Sequence, residues 1–166
     1  FGDGAGAIIL QTSVGNGSNE DRGVLSTHLY SDGTQYDALK VDGGPSTTGT
    51  SGYVRMQGRE VYRQAVMRMV EGVDAALTAN GLTTSEIDWL VPHQANIRIM
   101  ENVAQRLGIP AEKVVTTLNN QANTSAATIP LALADAVGRG CFETGQIIAL
   151  TAMGGGFTWG SALIRL

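Results

Sequence analysis

Three observations predict an α/β fold with helices on the faces of a sheet. Short apolar runs alternate with amphipathic helical periods. Glycine or proline punctuates most of the junctions between them. No tandem repeat and no apolar run near the ~20 residues of a membrane helix points elsewhere. The 166 residues allow about one domain. A 43% hydrophobic share is enough to bury a core, and a 16% charged share is too low for a disordered tail.

The elements follow in order. Ala7–Leu10 is a short apolar run, read as a buried strand. Gln11–Glu20 is a polar turn, and Gly23–Tyr30 alternates as a second strand with Val24, Ser26, His28 and Tyr30 on one side. Ser31–Ser51 carries Asp-Gly, Gly-Gly and Pro-Ser steps and reads as a long surface loop. Gly58–Asn80 is the clearest helix, with Val61, Ala65, Met69 and Val73 four apart and Gly81 as its stop. Thr83–Glu86 has the form of a capping box. Asp88–Pro92 is a strand ended by its proline, and Ile97–Leu107 is a helix stopped by Gly108. Lys113–Leu118 is read as strand and Thr124–Val137 as a small-residue helix with Pro130 in its early part. Gln146–Ala152 and Phe157–Leu166 are strands joined through Gly154-Gly-Gly156.

Charge and composition exclude several functions. The net charge of −4 argues against a general nucleic-acid binder, which needs a basic face to neutralise phosphates. One Cys cannot build a disulfide framework or a thiolate metal site, and two His are too few for an all-His zinc site, so no metal is expected. No signal peptide is visible, so a cytoplasmic protein without a membrane partner is expected. The chain opens at Phe1 directly in a glycine-rich apolar segment, which reads as a strand whose preceding context is missing. A fragment of a larger protein is expected.

Three turns carry residues suited to chemistry. His93, in Val91-Pro-His-Gln-Ala-Asn96, follows a strand and precedes a helix, where open α/β sheets place ligands. Imidazole donates or accepts a proton near neutral pH. The bland alternative is a surface His with Asn96 as a helix cap. Asn123, in Asn119-Asn-Gln-Ala-Asn-Thr-Ser-Ala-Ala126, also lies between strand and helix, and its amide can donate to a developing oxyanion or simply cap the helix. Met153-Gly-Gly-Gly-Phe-Thr-Trp-Gly160 either offers backbone N–H groups to a ligand or makes a tight turn. Gly2-Asp-Gly-Ala-Gly6 lacks the setting of a dinucleotide loop and reads as close packing. Cys141 sits in a polar turn with no base near it in sequence and is read as a bystander. Together the three turns suit oxyanion chemistry at a carbonyl, without a nucleophile.

These residues carry a resemblance. Pro-His-Gln-Ala-Asn-Ile-Arg, Ala-Asn-Thr-Ser-Ala-Ala-Thr-Ile-Pro, Gly-Gly-Gly-Phe-Thr-Trp-Gly-Ser-Ala and the opening Phe-Gly-Asp-Gly-Ala-Gly-Ala resemble β-ketoacyl-acyl-carrier-protein synthase III, a thiolase-fold condensing enzyme. The resemblance covers the C-terminal half of such an enzyme and implies a mixed five-stranded sheet with helices on its faces. It makes residues 1–166 one thiolase-like half-domain. The N-terminal half, which in the family holds the catalytic Cys and most of the dimer contact, is the implied partner. Position by position, it makes His93 and Asn123 catalytic and Gly155 an oxyanion-hole donor. It sets Asn96, Gly58 and Arg59 along the coenzyme A channel, and Arg63, Arg98 and Arg106 at the carrier-protein docking face. Arg59 stands where an Asn is common, and Ala122 where Gly is more frequent.

The implied reaction is decarboxylative Claisen condensation of an acyl-CoA, acetyl-CoA first among them, with malonyl-acyl-carrier protein. Coenzyme A and the carrier are parts of the substrates, and no cofactor is implied. A homodimer is implied for the complete enzyme. This chain by itself is expected to be inactive, for want of the Cys. The competing readings are an inactive structural fragment and a related condensing enzyme of secondary metabolism.

Overall fold

A computed structural model describes residues 1–166. Its main sheet has four strands: β1 (Gly23–Ser31), β4 (Trp89–Pro92), β5 (Ile147–Gly154) and β6 (Thr158–Arg165), in the order β1-β6-β5-β4. The β4–β5 pair is parallel and the other two are antiparallel, so the sheet is mixed. A separate antiparallel pair joins β2 (Leu39–Val41) to β3 (Val54–Met56). The helices are α1 (Gly58–Ala79), α2 (Ile97–Leu107), α3 (Leu118–Gln121) and α4 (Thr128–Gly138).

Alternation along the strands divides the core between the two faces. Leu90, Ile147, Ala149, Met153, Trp159 and Leu163 turn towards α1 and α2. Val91 and Ile148 turn the other way and meet Ala132 and Ala136 of α4. The long helix α1 lies close on the sheet because small polar residues meet it there. Thr151 Oγ1 donates to Met69 O at 3.0 Å and Ser161 Oγ to Gly72 O at 2.5 Å, and both side chains are buried. A Cβ on Gly72 would sit 3.4 Å from Ser161, in ordinary van der Waals contact, so the strand and helix approach closely here without strict need of glycine.

Several expectations need correction. Ala7–Leu10 is not a strand: it has no pairing partner within the chain, and Ile8, Ile9 and Leu10 are exposed. Backbone groups in a strand need a neighbour to bond. The segment before it instead lies on the 121–131 region, where Gly2, Gly4 and Gly6 leave no room for a side chain; a Cβ on Gly6 would fall 2.5 Å from Pro130 Cγ. Lys113–Leu118 is not a strand either. A 3-10 turn covers Ala111–Lys113, a single parallel bridge joins Val114 to Leu90, and α3 begins at Leu118. The cause is the buried Gln94 side chain, whose Nε2 donates to Val115 O at 3.2 Å and whose Oε1 accepts from Thr117 N at 2.9 Å. A side chain thus replaces a strand's hydrogen bonds, and the sheet has four strands and a bridge where five strands were expected.

Within Ser31–Ser51, a 3-10 turn at Gly33–Ala38, capped by the Asp32 carboxylate, leads into β2. A register shift between Val24 and Ser26 turns Val24 out to solvent, although it alternates in phase with His28. The last helical segment opens as a 3-10 turn, Ser125–Ala127, before α4. Pro130 is the third residue of α4, where its missing N–H is no loss.

Candidate active site

His93 follows the last residue of β4, and its backbone N–H extends the parallel pairing by donating to Thr151 O of β5 at 2.8 Å. The ring stands at the carboxyl end of the two parallel strands and is half-buried. Burial holds its pKa below the ordinary imidazole value, so the neutral ring is favoured. Nδ1 lies 2.6 Å from Thr128 Oγ1.

Asn123 occupies the loop between α3 and α4. Its Oδ1 accepts from Ser125 N at 2.9 Å, and its backbone carbonyl accepts from Gly2 N at 2.9 Å. With Oδ1 engaged, the amide presents Nδ2 as a donor that nothing in the chain uses. The loop is bent sharply: Ala122 has φ 56° and ψ −166°, and Ser125 has φ 55°.

One chain of contacts joins the two residues. Asn123 Oδ1 holds Ser125 N, Ser125 O accepts from Thr128 Oγ1 at 2.9 Å, and Thr128 Oγ1 meets His93 Nδ1. Gly155 lies just past β5, on the strand beside His93, and its N–H makes no hydrogen bond within the chain. A Cβ there would stand 3.0 Å from Leu39 O, so a glycine suits the turn. His93 and Asn123 are thus linked through Ser125 and Thr128, and Gly155 lies past the carboxyl end of β5, the strand parallel to β4.

The remaining expected site residues lie around this group. Asn96 caps α2, its Oδ1 accepting from Ile99 N at 3.0 Å. Gly58 and Arg59 open α1, where Gln57 N bonds Ala38 O at 2.9 Å, next to the Leu39 that abuts Gly155. Arg63 is held by Glu60, with Nη2 to Oε1 at 2.6 Å and Nε to Oε2 at 3.1 Å. Arg59, Arg98 and Arg106 are exposed and have no ion-pair partner. No group of His, Cys, Asp and Glu could hold a metal ion. Reading by sequence passed over two residues that the fold places here: Gln94, which ties the His93 turn to the 115–117 segment, and Thr128, beside the imidazole. Thr128 had a signal, being the one hydroxyl in a helix whose first seven residues are otherwise apolar.

The family model described as 3-oxoacyl-[acyl-carrier-protein (ACP)] synthase III C terminal matches residues 77–166. The chain belongs to this synthase III family. The β-ketoacyl-[acyl-carrier-protein] synthase III of Paramagnetospirillum magneticum is 61% identical over 166 residues, which are 100% of this chain and 51% of that protein. The enzyme of the same name from Rhodospirillum rubrum is 58% identical over 166 residues, with the same coverage. The chain thus spans about half the length of the synthase III relatives it matches. Among solved structures, the 3-oxoacyl-[acyl-carrier-protein] synthase III of Aquifex aeolicus matches with a TM-score of 0.82 and 40% identity, over 90% of this chain and 46% of that one. The Pseudomonas aeruginosa enzyme matches with a TM-score of 0.82 and 40% identity, over 92% of this chain and 46% of that one. The fold is the thiolase-like α/β half expected of a synthase III.

Proposed function

We propose that this chain is the C-terminal, thiolase-like half of a β-ketoacyl-acyl-carrier-protein synthase III that condenses an acyl-CoA, acetyl-CoA first, with malonyl-acyl-carrier protein. The observation that carries the reading is the pair of free donors at one strand end: the Asn123 amide and the His93 ring, joined through Ser125 and Thr128. In this reading the thiolate of a Cys of the N-terminal half attacks the acyl-CoA, taking the acyl group as a thioester and releasing coenzyme A. Carrier-bound malonate then loses carbon dioxide, and the enolate oxygen receives hydrogen bonds from His93 Nε2 and Asn123 Nδ2. The carbanion attacks the thioester, the Gly155 N–H donates to the tetrahedral oxyanion, and its collapse breaks the C–S bond and releases the Cys thiolate with the β-ketoacyl carrier product. Such donors act best when fixed before the charge appears, and losing one costs about 10²–10³ in rate.

Asn96, Gly58 and Arg59 line the coenzyme A channel in this proposal, and no cofactor is needed. Arg59, Arg98 and Arg106 offer unpaired guanidinium groups to an acidic carrier, whereas Arg63 must first leave Glu60. The working enzyme is a cytoplasmic homodimer of complete subunits. No helix is long and apolar enough to cross a membrane, in keeping with this. Alone, the chain turns nothing over. Its one Cys, Cys141, follows the C-terminal end of α4, a helix about 16 Å long at 1.5 Å per residue, whereas Thr128 is at the N-terminal end.

The test uses the full-length protein. His93→Ala and Asn123→Ala should each abolish carbon dioxide release from malonyl-carrier while radiolabelled acetyl still loads the Cys. If both residues serve only as structural groups, each loss costs about 1 kcal/mol of stability with near-normal turnover. Carbon dioxide release at the parent rate in both variants rejects the assignment.

A further inference from the structure

We propose that Gln94 is a positioning residue for His93 and Asn123: its side-chain amide is wedged between the end of β4 and the 115–117 segment, and sets how far the Asn123 loop stands from the imidazole. The inference rests on the reading of that pair given above. The bridge between Leu90 and Val114 begins a parallel pairing, in which Val115 N donates to Leu90 O at 2.9 Å. A parallel ladder would continue with Pro92 donating to Val115 O and accepting from Thr117 N. Pro92 has no N–H to donate. Gln94 supplies the partners instead. Its Nε2 donates to Pro92 O at 2.8 Å and to Val115 O at 3.2 Å, while Oε1 accepts from Thr117 N at 2.9 Å. One fully buried side chain thus meets three main-chain groups of the two segments. Both Nε2 protons are used, and a flipped amide would set Oε1 against two carbonyl oxygens, so the wedge has one orientation.

Both sides of the wedge lead to the site. On one side His93 directly precedes Gln94, with its N–H held by Thr151 O and its C=O by Ala95 N, each at 2.8 Å. On the other side Thr117 O accepts from Asn120 N at 3.0 Å and from Gln121 N at 2.9 Å, which starts α3. That short helix ends at Ala122, directly before Asn123. The contacts through Ser125 and Thr128 close the ring of residues. Two routes therefore tie Asn123 to His93. With the Ser125–Thr128 route alone, the loop is free to turn about its one attachment; the Gln94 route removes that freedom. Donors to a developing oxyanion act best when fixed beforehand. Loss of the wedge should therefore be felt in decarboxylation, which uses both residues, and not in acyl loading, which uses neither.

The experiment uses the full-length protein. Gln94→Met keeps the length and makes no hydrogen bond. Gln94→Glu keeps the shape and an acceptor for Thr117 N but cannot donate to both carbonyls. Acetyl loading of the Cys and carbon dioxide release from malonyl-carrier are measured separately on folded protein at saturating substrate. Release should fall about tenfold or more in Gln94→Met and by less in Gln94→Glu, with loading within about twofold of the parent in both. A group that only stabilises the fold leaves the ratio of the two rates unchanged, so the parent's ratio in both variants overturns the proposal. An equal fall in both rates overturns it too. If Gln94→Met does not fold, Gln94→Glu decides by the same ratio. Crystal structures of the parent and Gln94→Glu separate this proposal from the condensing reading. A parent protein that releases no carbon dioxide removes that reading; an Asn123 loop displaced from His93 in the variant then supports the wedge, and an undisplaced loop overturns it.

Discussion

Ala122 holds a backbone conformation that suits glycine. At φ 56° and ψ −166°, its Cβ is crowded in a region where L-residues cost about 1–3 kcal/mol. The strain lies directly before Asn123, whose Oδ1 and carbonyl are both fixed by neighbours. The loop therefore stays bent against an unfavourable torsion because contacts on both sides over-determine it. Ala122→Gly should relieve the torsion, less about 0.4–1 kcal/mol for the greater freedom of glycine in the unfolded chain. The expected net gain is about 1 kcal/mol, read as a higher denaturant midpoint of the full-length protein. An unchanged or lower midpoint would show that the Ala122 methyl is held in useful contact. Ala122 was visible in the sequence as a departure from the family's usual glycine. Its torsion was not, since a backbone angle is set by what packs around the loop.

The element that sequence read best is α2, bounded at Ile97–Leu107 as the pattern implied. Its signals are local: Asn96 caps the start and Gly108, at φ 68°, closes the end in the left-handed region. The cap also bears on function, because Asn96 is proposed to line the substrate channel. Asn96→Ala should cost about 1 kcal/mol of stability, and Asn96→Asp should keep the cap. Chemical denaturation of both variants checks this; equal losses for Ala and Asp would mean that the Ile99 N–H is not held by this side chain. Elements fixed by distant partners were harder to read. The 113–118 segment has strand composition, but Gln94, some twenty residues earlier, occupies its hydrogen-bonding edge. The 7–10 segment has strand composition and nothing beside it to pair with. The same logic divides the candidate site: His93 and Gly155 each follow a strand and stand out in the sequence, whereas the contact between Thr128 and His93 spans 35 residues of chain.

At the scale of the whole molecule, the apolar residues that remain outside the core decide how the chain behaves. Ile9 is 94% exposed, Leu10 77% and Leu29 81%, with Ile8 and Val14 also in solvent. Ile8, Ile9, Leu10 and Val14 share one extended segment, unlike the scattered apolar residues of an ordinary monomer. Covering such surface removes it from water, which favours association with a partner. Two arrangements meet this demand: the N-terminal half of the same enzyme, or a second copy of the chain. The isolated 166-residue chain is therefore expected to self-associate, with a sedimentation coefficient that rises with concentration. Joined to its N-terminal half, it should give a single, concentration-independent species with a sharper melting transition. The two samples are compared by sedimentation velocity and calorimetry in the same buffer. An isolated chain that stays monomeric at every concentration and melts cooperatively at high temperature would show that Ile8–Leu10 needs no cover, and the half would then be a self-sufficient domain.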